Sequence, residues 1–469
     1  MAGAEKLERL RQFLRELSPA ARTMLTNELE RALLRGDDGD SVAELILRQL
    51  RLIAREQRDG APRIDHAARL FFRPFEPFLV DEAGDQNYPG PVARASVQTL
   101  WNWIGRDLLP DEARSLTAKV NGALAKGDKA GAEASVNAFQ ERVLVAIDES
   151  IAAATDDDAV RRYLTSKIGT SHANEDAATL RCVLRGRNAL MKLGEDLPLH
   201  IGKLDPAALR ACKTLIDGIA AQDQELLLYA LLTVMNRLAA PWQLIRFGIA
   251  AADSNNAARV AETNYAVSVN IVLAELQRMV GVLRRDLRNS GGMAVSALLK
   301  TIHDSVRGLG SELVIPVNSN WGRTLTAQRT EIAELLRIEL DAVPGRVRRM
   351  LRPRRAAEIR ANSVLDDSEV SDTEALVALV DACRLFAGEL AINEITHRAN
   401  AELRQYLDAA TQVLLDGLRH VTRDEQRFRQ SQFEAGRRFC AVLFGPSYAE
   451  ALGRAAQLAA GPTARALRA

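Results

Sequence analysis

Glu394 and His397 stand three residues apart in Glu394-Ile395-Thr396-His397, a spacing that sets a carboxylate and an imidazole on one face of a helix. Di-iron sites in helical bundles use two such pairs plus two further glutamates, because two cations need about that much negative charge. None of the other five histidines, at 66, 172, 200, 303 and 420, has a glutamate three residues before it. The pair reads as a surface pair, and no metal and no cofactor are expected. The stretch Gly122 to Lys129 sets Gly122 and Gly127 at phosphate-loop spacing, yet Asp128 occupies the lysine position and no strand precedes it. No GxGxxG, HExxH or GxSxG signature occurs. Cys182, Cys212, Cys383 and Cys440 lie 30, 171 and 57 residues apart, neither a zinc-knuckle spacing nor a dense disulfide framework. They read as reduced, small, buried hydrophobes.

The strongest local charge feature begins at Gly345. Arg346, Arg348, Arg349, Arg352, Arg354 and Arg355 place six arginines in eleven residues, and Asp366, Asp367, Glu369, Asp372 and Glu374 follow with no base among them. One reading is a solvated linker over 345–374 whose halves attract each other or different helix ends. The sharper reading is an anion-binding arm for RNA, DNA or acidic lipid, held off by the adjacent acids. No aromatic side chain flanks the arginines, so charge contact with a backbone is the chemistry on offer. Ser371 with Glu374 spells a capping box for the next helix.

A second unusual stretch runs from Phe71 to Trp103. It holds Phe71, Phe72, Phe75 and Phe78, four of the 12 phenylalanines, together with Trp101 and Trp103, two of the four tryptophans. Pro74 and Pro77 interrupt it. Rings displayed here would stack on bases or dock a peptide; because aromatic side chains bury so much area, a core joint between helices is the favoured reading.

The elements that must position these residues are helices. Leu7, Leu10, Phe13, Leu14 and Leu17 recur at steps of three and four, and three helices are expected over 5–57. Asp205-Pro206 is a cap followed by a proline at the first helical position. Tyr265, Val269, Val272, Leu276, Met279 and Leu283 form a seam, and Val295, Leu298, Ile302, Val306 and Leu309 form a second stripe beyond Ser290-Gly291-Gly292. That pattern predicts an antiparallel hairpin over 255–311, with a homodimer through 265–283 as the alternative use of the seam. Phe428, Phe433, Phe439 and Phe444 lie on an Arg-rich helix, and packing is favoured over an exposed docking face. Strand signal is confined to Leu313-Val314-Ile315-Pro316-Val317, and one segment makes no sheet.

The expected fold is all-α, a multi-helix bundle or array with no significant sheet. At 469 residues the chain exceeds one core, and 47% hydrophobic residues with a net charge of +1 is globular composition without a global field for polyanions. Two helical domains are expected, 1–197 and 198–460, divided at the Gly194 to Asp205 punctuation, with a frayed tail at 461–469. Nine lysines against 53 arginines suggest GC-rich codons and a bacterial source. The charged, h-region-free start predicts a cytoplasmic location. Leu226 to Ala252 is too interrupted by Asn236, Arg237, Pro241, Gln243 and Arg246 for a membrane span and reads as a buried hairpin. The function expected first is a non-enzymatic interaction or scaffold protein with a protein partner. An accessory protein that holds nucleic acid or an anionic membrane through residues 346–355 is second, and an enzyme with its site in the helical core is third.

Overall fold

The computed structural model describes residues 65–460 apart from 81–89, 156, 171, 289–291, 356–357, 360–362 and 420–424, together with scattered positions before residue 65. Helix accounts for 82% of the described residues, and the protein is all-α. The one sheet among the described residues pairs β1 (Leu79–Val80) with β2 (Val92–Ala93) in parallel, Leu79 opposite Val92. Of the expected N-terminal helices, the described side chains Leu14, Leu50 and Ile53 are buried together, with Leu10, Leu17, Leu25, Leu29 and Ile46 packed around them. Helix also covers the described positions 12, 13, 15, 21, 22, 24, 26, 47 and 49; the other positions of 5–57 and the tail 461–469 lie outside the described residues.

The chain forms two compact units. The first is 1–278 with 308–315; the second is 279–307 with 316–469. This differs from a division at 197/198. Residues 194–205 sit inside the first unit, where Ile201 donates its N–H to the Arg237 carbonyl at 2.8 Å and the Ala239 N–H returns to Ile201 at 2.9 Å. Compactness follows long-range contacts, which turn residues do not encode.

In the first unit, α1 (Ala67–Phe71) runs into a 3-10 turn (Arg73–Phe78), β1 and β2, then α2 (Arg94–Trp103) and a π turn (Ile104–Leu108). Next come α3 (Pro110–Ala125), α4 (Lys129–Thr155), α5 (Asp158–Ile168) and α6 (Ala173–Asp196). Asp157 caps α5 by accepting from the Ala159 N–H at 2.7 Å, and Gly169 closes it in the left-handed region at φ 72°, where a side chain would be strained. Asp205 caps α7 (Pro206–Ala220), accepting at 2.9 and 2.8 Å from the Ala207 and Ala208 N–H groups. Then follow α8 (Leu226–Met235), a 3-10 turn (Pro241–Leu244), α9 (Ile245–Ala252) and α10 (Ala257–Ala261).

The aromatic stretch packs among α4, α6 and α8. Phe71, Phe72, Phe75, Phe78 and Trp103 are all buried, and Trp101 is half-buried against Phe71 at 5.5 Å between ring centres. Phe71 meets Phe139 at 5.7 Å and Phe78 meets Tyr229 at 5.4 Å, both in tilted or edge geometry that suits ring quadrupoles. Pro74 and Pro77 are accommodated because the segment is a short 3-10 turn, not an α-helix that needs every N–H.

The seam helix α11 (Ala266–Arg288) and its successor α12 (Gly292–Glu312) each cross from one unit to the other, at 278/279 and 307/308. Tyr265, Val269, Val272, Leu276, Met279 and Leu283 are buried within the chain. Among the described residues one helix, Ala266–Leu287, is long and apolar enough to cross a membrane by length and composition, and half of it is buried. The expected extended segment at 313–317 forms a single bridge, Val314 donating to the Asn255 carbonyl at 2.9 Å.

The second unit is built on α13 (Asn320–Leu351), which packs against α14 (Asp367–Phe386), α15 (Asn393–Arg419) and α16 (Gln426–Phe444), with α17 (Pro446–Ala460) on α15 and α16. The expected linker start at Gly345 is displaced. The helix runs through Pro344 and Gly345 to Leu351, so the connection spans 352–366. An interior proline costs about 3 kcal/mol. Burial of Val347, Met350 and Leu351 beyond it returns about 1.5–3 kcal/mol each, enough to carry the helix onward. The expected capping box is also displaced. Asp366 caps α14 by accepting from the Ser368 N–H at 2.9 Å, leaving Ser371 and Glu374 inside the helix.

Candidate functional site

The last turns of α13 and the extended chain after them carry all six arginines of the charged stretch within the second unit. Backbone comes first, because this segment leaves the helix and its carbonyls need donors. Gln432 of α16, fully buried, donates through Nε2 to the carbonyls of Met350 at 3.0 Å and Arg352 at 2.8 Å. Arg429 donates to the Arg354 carbonyl at 2.8 Å, and the Glu358 N–H donates to Arg355 at 2.9 Å. At the far end of the connection the Leu365 N–H donates to Ser431 Oγ at 3.1 Å. Residues 350–355 are therefore a fixed edge laid on α16, not a loose arm.

The side chains divide into engaged and displayed groups. Arg348 pairs with Glu402 and lies over the Tyr406 ring at 5.7 Å. Arg354, itself exposed, sits over the buried Phe428 ring at 4.9 Å. Arg346, Arg349, Arg352 and Arg355 have no carboxylate partner among the described residues; Arg346 is half-buried and the other three are exposed. Arg348 and Arg349 fall in the last helical turn, where cations complement the helix dipole. Arg352, Arg354 and Arg355 lie beyond that turn, and the dipole does not account for them.

The acidic run does not neutralise the edge. Arg438 of α16 takes Asp367 at 3.0 Å, Glu374, and the Ser371 hydroxyl at 3.0 Å. The two halves of the charged stretch thus pair with other helices. Sequence reading missed Gln432, Arg429 and Arg438, which stand some 64 to 82 residues from their partners. One signal was present for Gln432: it falls on the buried face marked by Phe428, Ala435 and Phe439, where an amide needs a reason.

The other candidate residues lie elsewhere. Phe71, Phe72, Phe75, Phe78 and Trp103 are sequestered in the first unit and offer no face to a partner. Phe428, Phe433 and Phe439 are buried as well. Glu394 and His397 are exposed near the start of α15, and no group of three or more potential metal ligands occurs among the described residues. A surface depression of about 360 Å³ in the first unit is lined by Asp65, Arg69, Arg73, Glu76, Lys129 and Glu133. Its charges answer one another, with Arg69 on Asp65 at 3.3 Å and Arg73 on Glu133 at 2.7 Å. Burial pushes the Cys383 thiol up to about 12, and burial with Asp408 nearby does the same for Cys440. Burial, then the neighbouring Glu225 carboxylate, pushes Cys182 up to about 11, against the depressed value a nucleophile needs.

No protein-family model, no curated protein and no solved structure matches this chain.

Proposed function

We propose that the protein is a non-catalytic helical binding module whose docking element is the arginine edge at the end of α13, and that its partner is an anionic polymer or surface. The observation that carries this reading is the set of four guanidiniums, Arg346 and Arg349 on the last turns of α13 and Arg352 and Arg355 on the backbone fixed by Gln432 and Arg429, none with a carboxylate partner among the described residues. Like charges held this close repel one another, and an anion relieves that repulsion. Guanidinium forks suit phosphate and carboxylate oxygens in paired hydrogen bonds, which a flexible lysine cluster would not fix in direction. A scaffold role and an anion-holding role meet in this edge, since a module that recruits a partner needs one surface that selects it.

Retention on a phosphate-bearing resin tests the reading. The full chain is expected to elute at a salt concentration well above that of the Arg349→Glu/Arg352→Glu/Arg355→Glu variant. Arg337→Glu, which changes an arginine already paired with Glu334 on the same helix, should elute close to the parent. Equal elution of parent and triple variant would sink the proposal, because retention would then not depend on the edge.

A further inference from the structure

Resting on that reading, we infer that the edge takes the phosphodiester backbone of a nucleic-acid duplex, without reading base sequence. The first argument is charge density. About 1.5 Å per residue along the helix and about 3.3 Å per residue in the extended part spread Arg346 to Arg355 over at most roughly 20 Å. One strand of a duplex presents a phosphate about every 3.4 Å of axis, so roughly six phosphates fall within that length, those on the near side within reach of the arginines. A folded acidic protein surface mixes both signs and rarely offers so many anions in line.

The second argument concerns stacking. Single strands are held on exposed rings as well as cations. Here the two rings beside the arginines are Phe428, buried beneath Arg354, and Tyr406, half-buried beneath Arg348. Both serve as undersides for guanidiniums, so a base stacking there would have to displace an arginine. A duplex has already stacked its bases and asks only for backbone contact. The third argument is stiffness. The carbonyls of Met350, Arg352 and Arg354 are each held by α16, so the line of cations keeps its shape, as a stiff duplex does and a flexible single strand does not. A membrane surface would in addition favour inserted apolar side chains. In residues 345–355 Val347, Met350 and Leu351 face inward, and the one exposed apolar side chain, Pro353, is a short ring that offers little to insert.

The test is fluorescence anisotropy with the full chain and five probes: a mixed-sequence DNA duplex, an RNA duplex of the same length, one DNA strand alone, polyglutamate, and vesicles of phosphatidylcholine with phosphatidylserine. Binding of either duplex more tightly than the other three probes is expected, with log K falling against log salt at a slope of about −4. The Arg349→Glu/Arg352→Glu/Arg355→Glu variant should flatten that slope by about 2.7 and weaken duplex binding more than about tenfold at moderate salt. The alanine set at the same three positions gives the answer if charge reversal perturbs the far-ultraviolet circular dichroism. Tighter binding of the single strand, polyglutamate or vesicles overturns the duplex inference and leaves the anion reading standing. Duplex binding that survives the triple change overturns the assignment to this edge. Absence of binding to all five probes overturns both.

Discussion

Phe71 to Phe78 in the first unit and Arg346 to Arg355 in the second are equally conspicuous in composition, yet one is sequestered and the other displayed. Their backbones are handled alike. Each segment breaks regular helix, and each has carbonyls held by a buried glutamine from a distant helix: Gln140 donates to Phe71 at 2.7 Å, and Gln432 donates to Met350 and Arg352. Only the side chains differ. Rings gain about 25 cal/mol for every Å² removed from water, whereas an unpaired guanidinium taken inside loses its hydration with no return. A fixed backbone under buried rings is a joint; a fixed backbone under free charges is a presented surface.

Breaking the rings should produce the largest effect. Phe75→Ala or Phe78→Ala is expected to lower stability by about 3–5 kcal/mol, measured by urea unfolding of the first-unit transition. A loss under about 1 kcal/mol for both would mean that the joint is not core and that the comparison is misdrawn.

The glutamines come next, and they sharpen the parallel. Gln432→Leu leaves the Met350 and Arg352 carbonyls without their donor, and Gln140→Leu does the same to Phe71; each should cost about 1–3 kcal/mol. Gln432→Leu should also weaken polyanion binding, since the edge loses its fixed shape. Gln140→Leu should not. A variant at 432 that melts earlier yet binds fully would show that stiffness of the edge is irrelevant to its use.

A smaller, pH-dependent effect tests how the interior treats charge. Asp176 is buried in the first turn of α6 with one carboxyl oxygen unpartnered, and desolvation raises its pKa despite the hydroxyls of Thr170 and Ser96. Between the unfolded value of about 3.9 and this raised one the native state binds more protons, so stability falls as pH rises through that window. Asp176→Asn should therefore gain on the parent in thermal melts at pH 7. The gain should vanish below about pH 4, where the parent carboxyl is protonated in both states. An equal difference at both pH values would place the cause outside ionisation.

The helical class was legible because core leucines and valines recur at three and four. The cap at Asp205-Pro206 was legible because its hydrogen bonds are local. What was not legible is long-range. Pro344-Gly345 carries the local marks of a stop, and only the burial of Val347, Met350 and Leu351 outweighs them. Ser371 and Glu374 have capping-box spacing, but Asp366 reaches the Ser368 amide first, and Arg438 then claims both side chains. The passage between units inside α11 and α12 has no local marker, because a helix continues unbroken through a change of neighbours. The arginines were visible as a cluster, but which of them is engaged depended on Glu402, Phe428 and Gln432, all more than fifty residues away.

The smallest expected effect belongs to the edge itself. Arg352 and Arg355 lie beyond the helix, are exposed, and have no carboxylate partner among the described residues, so Arg352→Glu/Arg355→Glu should move stability by no more than about 0.5 kcal/mol. The sign carries information. Six clustered cations repel, and two reversals replace repulsion with attraction toward Arg349 and Arg354, so at low salt the variant should be the more stable of the two. Added salt screens both terms, and within about 0.5 M the two melting curves should converge, since the screening length then falls well below 10 Å. Thermal melts at low and high salt measure this directly. Destabilisation of the variant at every salt concentration would mean that Arg352 and Arg355 hold the fold together, and residues that hold the fold are not free to hold an anion.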